Sequence, residues 1–424
     1  MAKKRTENNM WLKLDNAALI YPSSSNEKWN NVFRVSAYLK SDVNPELLQQ
    51  ALNICIERFV NLDVTLRRGM FWYYFQMVST YPKVEQEVNY PCRKMDLNKK
   101  KHLFRVLYFK NKVSFETFHS LTDGTGAICF LNSLLTCYFN LCGEKIDDSQ
   151  LAISYKDRPV PEEIEDSFKR YADSSGVNKR DTKKAYQIHG TPEQNGVLDV
   201  ITAVIDVNQF HKLSKEKNCT ITQFLTAIYA KCIIHYQKQL VSKKKPVVVS
   251  VPINLRKYFD TKTLRNFSSW IDVSFNGENK TEDIDALIDS IKKQMQKVTK
   301  EYLVKNINAN VKAERNFFVR IMPLFIKNLA LSLSYRMFGE NAYTTVLTNL
   351  GVVNAPKEFD NLVERYDCLL CKSLINSINI GVATFGNKLS ITFTSCIKEK
   401  SIERDFCRYL SSLGLDVKIY TNIK

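Results

Sequence analysis

The chain has 424 residues, 44% of them hydrophobic and 25% charged, and 61 Lys and Arg against 44 Asp and Glu give a formal net charge of +17. These are globular proportions, and with only 13 Gly and 11 Pro they exclude a collagenous, low-complexity or wholly disordered chain. The length predicts two to three domains.

Element signals follow in chain order. Asn44-Pro45-Glu46 reads as an N-cap, a Pro at N1 and an acid in the first turn, and Leu47, Leu48, Ala51, Leu52, Cys55, Ile56 and Phe59 then share one helical face. Met70–Val78 is aromatic and β-prone, and Leu103–Phe118 reads as a hairpin around Lys110-Asn111-Lys112. Gly124–Asn140 is helical, with Ile128, Leu131, Leu134, Leu135 and Tyr138 on one side. From Asp157 to Gly196 the chain turns polar and loses periodicity, as a linker does. Leu198–Val207 reads as a strand, Thr220 and Gln223 as a capping box opening a helix to Gln239, and Val247–Val251 as a buried strand. Helices are expected over Thr281–Leu303 and Lys312–Met337, and a strand over Thr344–Leu350. Paired strands follow at Asn376–Thr384 and Lys388–Thr394 about Gly386-Asn387, and a last helix from a Ser401 cap, with Phe406, Tyr409, Leu410 and Leu413 apolar. This mixture in two halves of similar length predicts an α+β protein with two sheet-containing domains: 1–175, a linker over 176–196, and 197–424.

Compartment and partners follow from the remaining features. Met1–Met10 is polar, with no apolar core or cleavage site after it. The 11 Cys are odd in number and scattered through apolar runs, as reduced buried thiols are, so a cytoplasmic setting is expected. Cys368 and Cys371 form a lone C-x-x-C that reads as two chance thiols ahead of a redox pair. The apolar stretch Asn316–Phe338 carries Arg320, Lys327 and Arg336 and is not expected to span a membrane. The charge surplus favours an anionic partner, but the runs Lys3–Arg5, Lys99–Lys101 and Lys243–Lys245 read as solvated faces. They come with no nucleic-acid motif, and nucleic acid is not an expected partner.

Chemistry is concentrated in one segment. The five His show no metal-ligand spacing, and no metal is expected; no nucleophile elbow, phosphate loop or dinucleotide fingerprint is present. Phe118-His119-Ser120-Leu121-Thr122-Asp123-Gly124 falls where a strand ends and a helix begins. A neutral imidazole there can take a proton from an attacking hydroxyl or amine. By spacing alone, a capping Asp beside a core His is the better explanation, because H-x-x-x-D is a weak pattern.

His119-x-x-x-Asp123-Gly124 resembles the H-x-x-x-D-G signature of the CoA-dependent acyltransferase superfamily, which holds chloramphenicol acetyltransferase, alcohol acetyltransferases and condensation domains. Val251–Arg256 with Thr263–Phe267 is similar to the superfamily's second-half segment carrying an arginine and an Asn-Phe pair. Thr348-Asn349-Leu350-Gly351 is similar to its Ser/Thr-Asn-Leu-Gly strand end, and Trp11–Pro22 to the start of the alcohol acetyltransferase-like branch. Phe118 stands where condensation domains usually place a second His, and the D-F-G-W-G motif of the plant branch is absent.

The resemblance implies two chloramphenicol-acetyltransferase-like α/β sandwich halves in a V with a tunnel at their interface. It implies transfer of an acyl group, other than amino-acyl, from an acyl-CoA co-substrate to a small alcohol or amine. No bound cofactor is implied, and a monomer is expected. His119 would be the base, Asp123 would pair with Arg256, Gly124 would permit a tight turn, and Thr348 or Asn349 would help hold the oxyanion. The alternatives are an acyl-carrier-protein-dependent or condensation-type transferase, a non-catalytic binding module of the same fold, and peripheral membrane association through the helix near Pro323–Leu333.

Overall fold

The computed structural model describes residues 10–26, 29–99, 101–178, 184–194, 197–240, 245–277, 280–334, 340–371, 373 and 375–423. The Lys3–Arg5 run, most of Met1–Met10, Lys100, Lys243, Lys244 and the end of the helix expected to reach Met337 lie outside the described residues.

Two sheets carry the α+β architecture. The first orders five strands as Val363–Leu369, Val32–Leu39, Lys112–Phe118, Phe104–Phe109 and Val84–Gln86, antiparallel but for the last pair. The second orders seven as Ser268–Phe275, Val247–Asn254, Thr345–Val352, Ile378–Phe385, Lys388–Ser395, Asp199–Asp206 and Lys418–Thr421. Its third strand, Thr345–Val352, runs parallel to both neighbours. Trp11–Lys13, Tyr73–Met77 and Val64–Arg68 form a separate three-stranded ribbon, whose Val64, Leu66, Tyr73 and Phe75 join the core of the first sheet. Both expected hairpins close on two residues, Phe109 opposite Lys112 and Phe385 opposite Lys388, with Lys110 (φ 49°) and Gly386 (φ 54°) supplying the left-handed backbone.

Each sheet has its own core. Around the first, Leu48, Leu52 and Ile56 of helix Pro45–Arg58 and Phe130 and Leu134 of helix Gly124–Leu141 join Val35 and Phe115. Around the second, Phe224 and Ile228 of helix Ile221–Leu240 and Phe406 of helix Ser401–Ser412 join Val249, Ile380 and Ile391. Each large apolar side chain so buried contributes about 1.5–3 kcal/mol. A smaller third core gathers Phe168, Leu255, Phe259 and Phe267 against Leu303 and Ile307. Charges inside the first sheet are matched by register: Glu116 lies directly opposite both Arg34 and Arg105 and bonds to each, at 2.6 and 2.7 Å. Such a buried set is tolerated because every charge has an opposite neighbour.

Several expected elements differ. The helix expected over Thr281–Leu303 is two, Ile284–Met295 and Lys300–Arg315, because Thr299 accepts from Tyr302 N and starts a new helix. The helix expected over Lys312–Met337 is interrupted twice. Asn316 caps Phe317–Ile321, and Pro323, with no N–H and with Met322 extended before it, forces a fresh start at Leu324–Ser334. Ser401 is the first helical residue instead of the cap; Lys400 holds the cap position without a side-chain bond. The β-prone run at Met70 gives a strand only from Tyr73, because Gly69–Trp72 forms the turn into it. Strand Val363–Leu369, in the stretch expected to belong to the second half, completes the first sheet beside Val32–Leu39.

Candidate active site

The strand Lys112–Phe118 ends at His119, and Asp123 is the N-cap of the helix Gly124–Leu141. The link between them is tight: Leu121 N donates to Phe118 O, and His119 N donates to Asn31 O, both at 2.9 Å. The imidazole lies against Tyr21, stacked at 4.7 Å between ring centroids with 15° between planes, and against Phe33 at 4.8 Å.

Asn266, 147 residues away in the chain, orients the ring. Its Nδ2 donates to His119 O at 2.9 Å and to Asp15 Oδ2 at 3.3 Å, so its Oδ1 is the atom 3.0 Å from His119 Nδ1. A carbonyl oxygen only accepts, which places the proton on Nδ1 and the lone pair on Nε2. Among the described residues no side chain is hydrogen-bonded to Nε2. Burial holds the His119 pKa below the ordinary imidazole value, so the ring is neutral at neutral pH. Asp15 is fully buried, and burial pushes its pKa up to about 6, against the pull of Arg265 at 3.4 Å.

Asp123 is committed elsewhere. Its Oδ1 accepts from Thr125 N and Gly126 N at 3.2 Å, the N-cap pattern, and its Oδ2 accepts from Arg256 Nη1 at 2.7 Å and Phe267 N at 2.9 Å. Arg256 is spread over further acceptors, Nε on Thr263 O at 3.0 Å and Nη2 on Arg265 O at 2.6 Å. Thr122 Oγ1 donates to Leu264 O at 2.6 Å, and Asn254 Nδ2 donates to Thr125 Oγ1 at 3.1 Å. The loop from His119 to Thr125 is thus fastened to the segment Asn254–Phe267 through His119, Thr122, Asp123 and Thr125.

Gly124 has no left-handed φ, so a tight turn is not its reason for being glycine. Room is: a Cβ there would stand 2.5 Å from Leu350 Cδ2. Leu350 follows Thr348 and Asn349 on the strand Thr345–Val352, which brings that segment up to the helix start. Asn349 is tied down, donating to Thr222 Oγ1 at 3.0 Å and accepting from Gly351 N at 2.8 Å. The Thr348 hydroxyl is half-buried and makes no hydrogen bond among the described residues. Sequence alone assigns Tyr21, Phe33, Asp15 and Asn266 no role at His119, although Asn266 belongs to the Asn-Phe pair. Tyr21, Asp15 and Asn266 fall in stretches that resembled known ones, but no spacing connects them to His119.

Among the described residues no group of three or more His, Cys, Asp or Glu is placed to hold a metal ion. Cys368 and Cys371 are not joined in a disulfide, and Cys368 is buried.

No family model matches this sequence, and no curated protein matches it. Solved structures do. The TRI3 trichothecene 15-O-acetyltransferase from Fusarium sporotrichioides aligns over 97% of this chain and 96% of its own, with a TM-score of 0.57 and 11% identity. A wax ester synthase/diacylglycerol acyltransferase from Marinobacter aquaeolei VT8 aligns over 95% and 100%, with a TM-score of 0.55 and 10% identity. The starter condensation domain of rhizomide synthetase, solved as a mutant in complex with C8-CoA and Leu-SNAC, aligns over 95% and 94%, with a TM-score of 0.58 and 13% identity. The chain has the fold shared by CoA-dependent acyltransferases and condensation domains, and at these identities it is the fold that is shared.

Proposed function

We propose that this protein transfers an acyl group from a CoA thioester to a hydroxyl or amine, with His119 as general base. The observation that carries the reading is the imidazole itself: neutral, stacked on Tyr21, with Nδ1–H held by Asn266 and no side chain among the described residues bonded to Nε2. Nε2 accepts the acceptor's proton as its oxygen or nitrogen attacks the thioester carbonyl. The tetrahedral intermediate collapses, the C–S bond breaks, and the imidazolium returns the proton to the departing thiolate, which leaves as the thiol of CoA. Of the two residues expected at the oxyanion, Thr348 suits it better, since its hydroxyl is uncommitted while Asn349 is bonded at both ends. Asp123 takes no part in proton transfer; with Arg256 it locks the loop. Donor and acceptor meet at His119 between the two halves. The C8-CoA bound by the rhizomide domain supports a thioester donor of that class.

The test is thiol release from acetyl-CoA and longer acyl-CoAs against a panel of alcohols and amines. His119→Ala should lower turnover by about 10²–10⁴-fold at an unchanged melting temperature. Wild-type turnover in that variant would refute the assignment. Acyl transfer from a loaded carrier protein alone would move the donor from CoA to a carrier.

A further inference from the structure

We infer that this protein docks peripherally on an anionic lipid bilayer through the face formed by helices Phe317–Ile321 and Leu324–Ser334 and the turn Gly69–Phe71. Phe317, Phe318 and Phe325 are 67%, 72% and 74% exposed, Leu329 is 64% and Met70 is 77%. Phe and Leu rank among the side chains most often fully buried, and five at such exposure on adjoining segments form a patch that asks for a cover. The turn and the helix are one surface: Leu324 N donates to Met70 O at 2.9 Å, and Lys327 Nζ donates to Phe71 O at 2.8 Å with its ammonium 3.4 Å from the centre of the Trp72 ring.

Charge selects the occupant. From Arg315 to Ser334 there is no Asp or Glu, while Arg315 and Arg320 are exposed. Beside the turn, Arg67 and Arg68 line a cleft of about 190 Å³ with Pro22, Leu66 and Tyr73. An apolar face bordered by cations and free of acids is the composition of an interfacial surface on anionic headgroups. A second copy placed symmetrically on the same face would set these arginines against one another. Among the described residues no helix is long and apolar enough to cross a membrane, which leaves contact at the surface.

The face adjoins the candidate site. Asn328, on the exposed helix, accepts from Ser23 Oγ at 2.7 Å and donates to the Tyr73 hydroxyl at 2.9 Å. Ser23 belongs to the helix Ile20–Ser24, whose Tyr21 stacks on His119. Resting on the acyltransferase reading, the substrate class that follows is an amphiphile, a long-chain thioester or alcohol passing from the bilayer to the base beside this helix.

The experiment is cosedimentation of the full chain with vesicles of phosphatidylcholine alone and of phosphatidylcholine mixed with phosphatidylglycerol. Binding is expected to the mixed vesicles, to weaken as salt is raised, and to be at least about tenfold weaker to the neutral ones. The double variant Phe318→Asp/Phe325→Asp should lose at least about tenfold in binding at an unchanged melting temperature. Arg315→Ala and Arg320→Ala should each lose about fivefold. Absence of binding to either vesicle, equal binding by the Phe variant, or a dimer in solution that Phe325→Asp dissociates would each overturn the proposal. Thiol release from a short, soluble acyl-CoA, measured on the same variants, should be unchanged. A failed acyltransferase reading therefore shows in that assay and a failed docking surface in the other.

Discussion

Removing the Asp123 carboxylate is the perturbation that best separates architecture from chemistry. The group accepts four hydrogen bonds, and its side chain and that of Arg256 are only 8% and 13% exposed, so solvent does little to replace what is lost. Asp123→Ala strips the helix cap, a loss of about 1 kcal/mol. It also leaves Arg256 facing no carboxylate, which for a buried pair costs about 3–5 kcal/mol. The variant should be destabilised by about 4–6 kcal/mol in urea unfolding, and turnover should fall with it. Arg256→Ala should be milder, about 3 kcal/mol, because three backbone N–H groups still serve the carboxylate. The double variant should recover about 0.5–3 kcal/mol relative to the sum of the two. Strict additivity would show that the ion pair carries no weight. An Asp123→Asn protein without turnover but with an unchanged melting temperature would refute the architectural role and put this acid into the proton transfer.

Other outcomes follow from the same geometry. Because burial lowers the His119 pKa and the base must be unprotonated, kcat/KM should rise along an acid limb whose midpoint lies below the ordinary imidazole value and then stay level through neutrality; a midpoint at or above that value in the pH–rate profile would contradict the assignment. Gly124→Ala should cost about 1–3 kcal/mol through the Leu350 contact, and Leu350→Ala in the same chain should return part of it; thermal unfolding of the two variants beside the parent decides. Glu403 is buried, and burial raises its pKa from 4.5 to about 7. The folded state therefore keeps a proton the unfolded chain releases, a contribution to stability that is whole below the unfolded value and lost as pH climbs through about 7. Glu403→Gln should thus gain stability over the parent at about pH 8.5 by about 3 kcal/mol relative to the difference at about pH 4, read from melting temperatures.

Local signals reached the elements whose stability is local. The Asn44-Pro45 start and the two-residue hairpins at Lys110-Asn111 and Gly386-Asn387 were legible because cap and turn residues act on their own neighbours. The breaks at Asn316 and Pro323 had their residues in plain view, but the apolar run around them reads as continuous helix. The strand Val32–Leu39 left no period-2 trace, because it is covered on both faces and carries Arg34 in its middle. Only the register against Glu116 explains that charge. At the site, the His119–Asp123 spacing was readable, whereas the Asn266 amide and the Tyr21 ring reach His119 through tertiary contact alone.

The strand Val363–Leu369 ties the manufacture of the first sheet to the far end of the chain. Until residue 369 has left the ribosome, Val32–Leu39 has a bare edge where its neighbour belongs, eight residues long and bearing Val32, Phe33, Val35 and Leu39. Closing it pairs residues more than 300 positions apart, and such pairings come late in folding. An edge of that length and composition recruits other chains while it waits. A nascent chain stalled before this point, or a clone truncated at the apparent boundary near residue 196, would therefore be sticky instead of merely inactive. Supplying the missing strand in trans, as a synthetic peptide, is the direct way to quiet it.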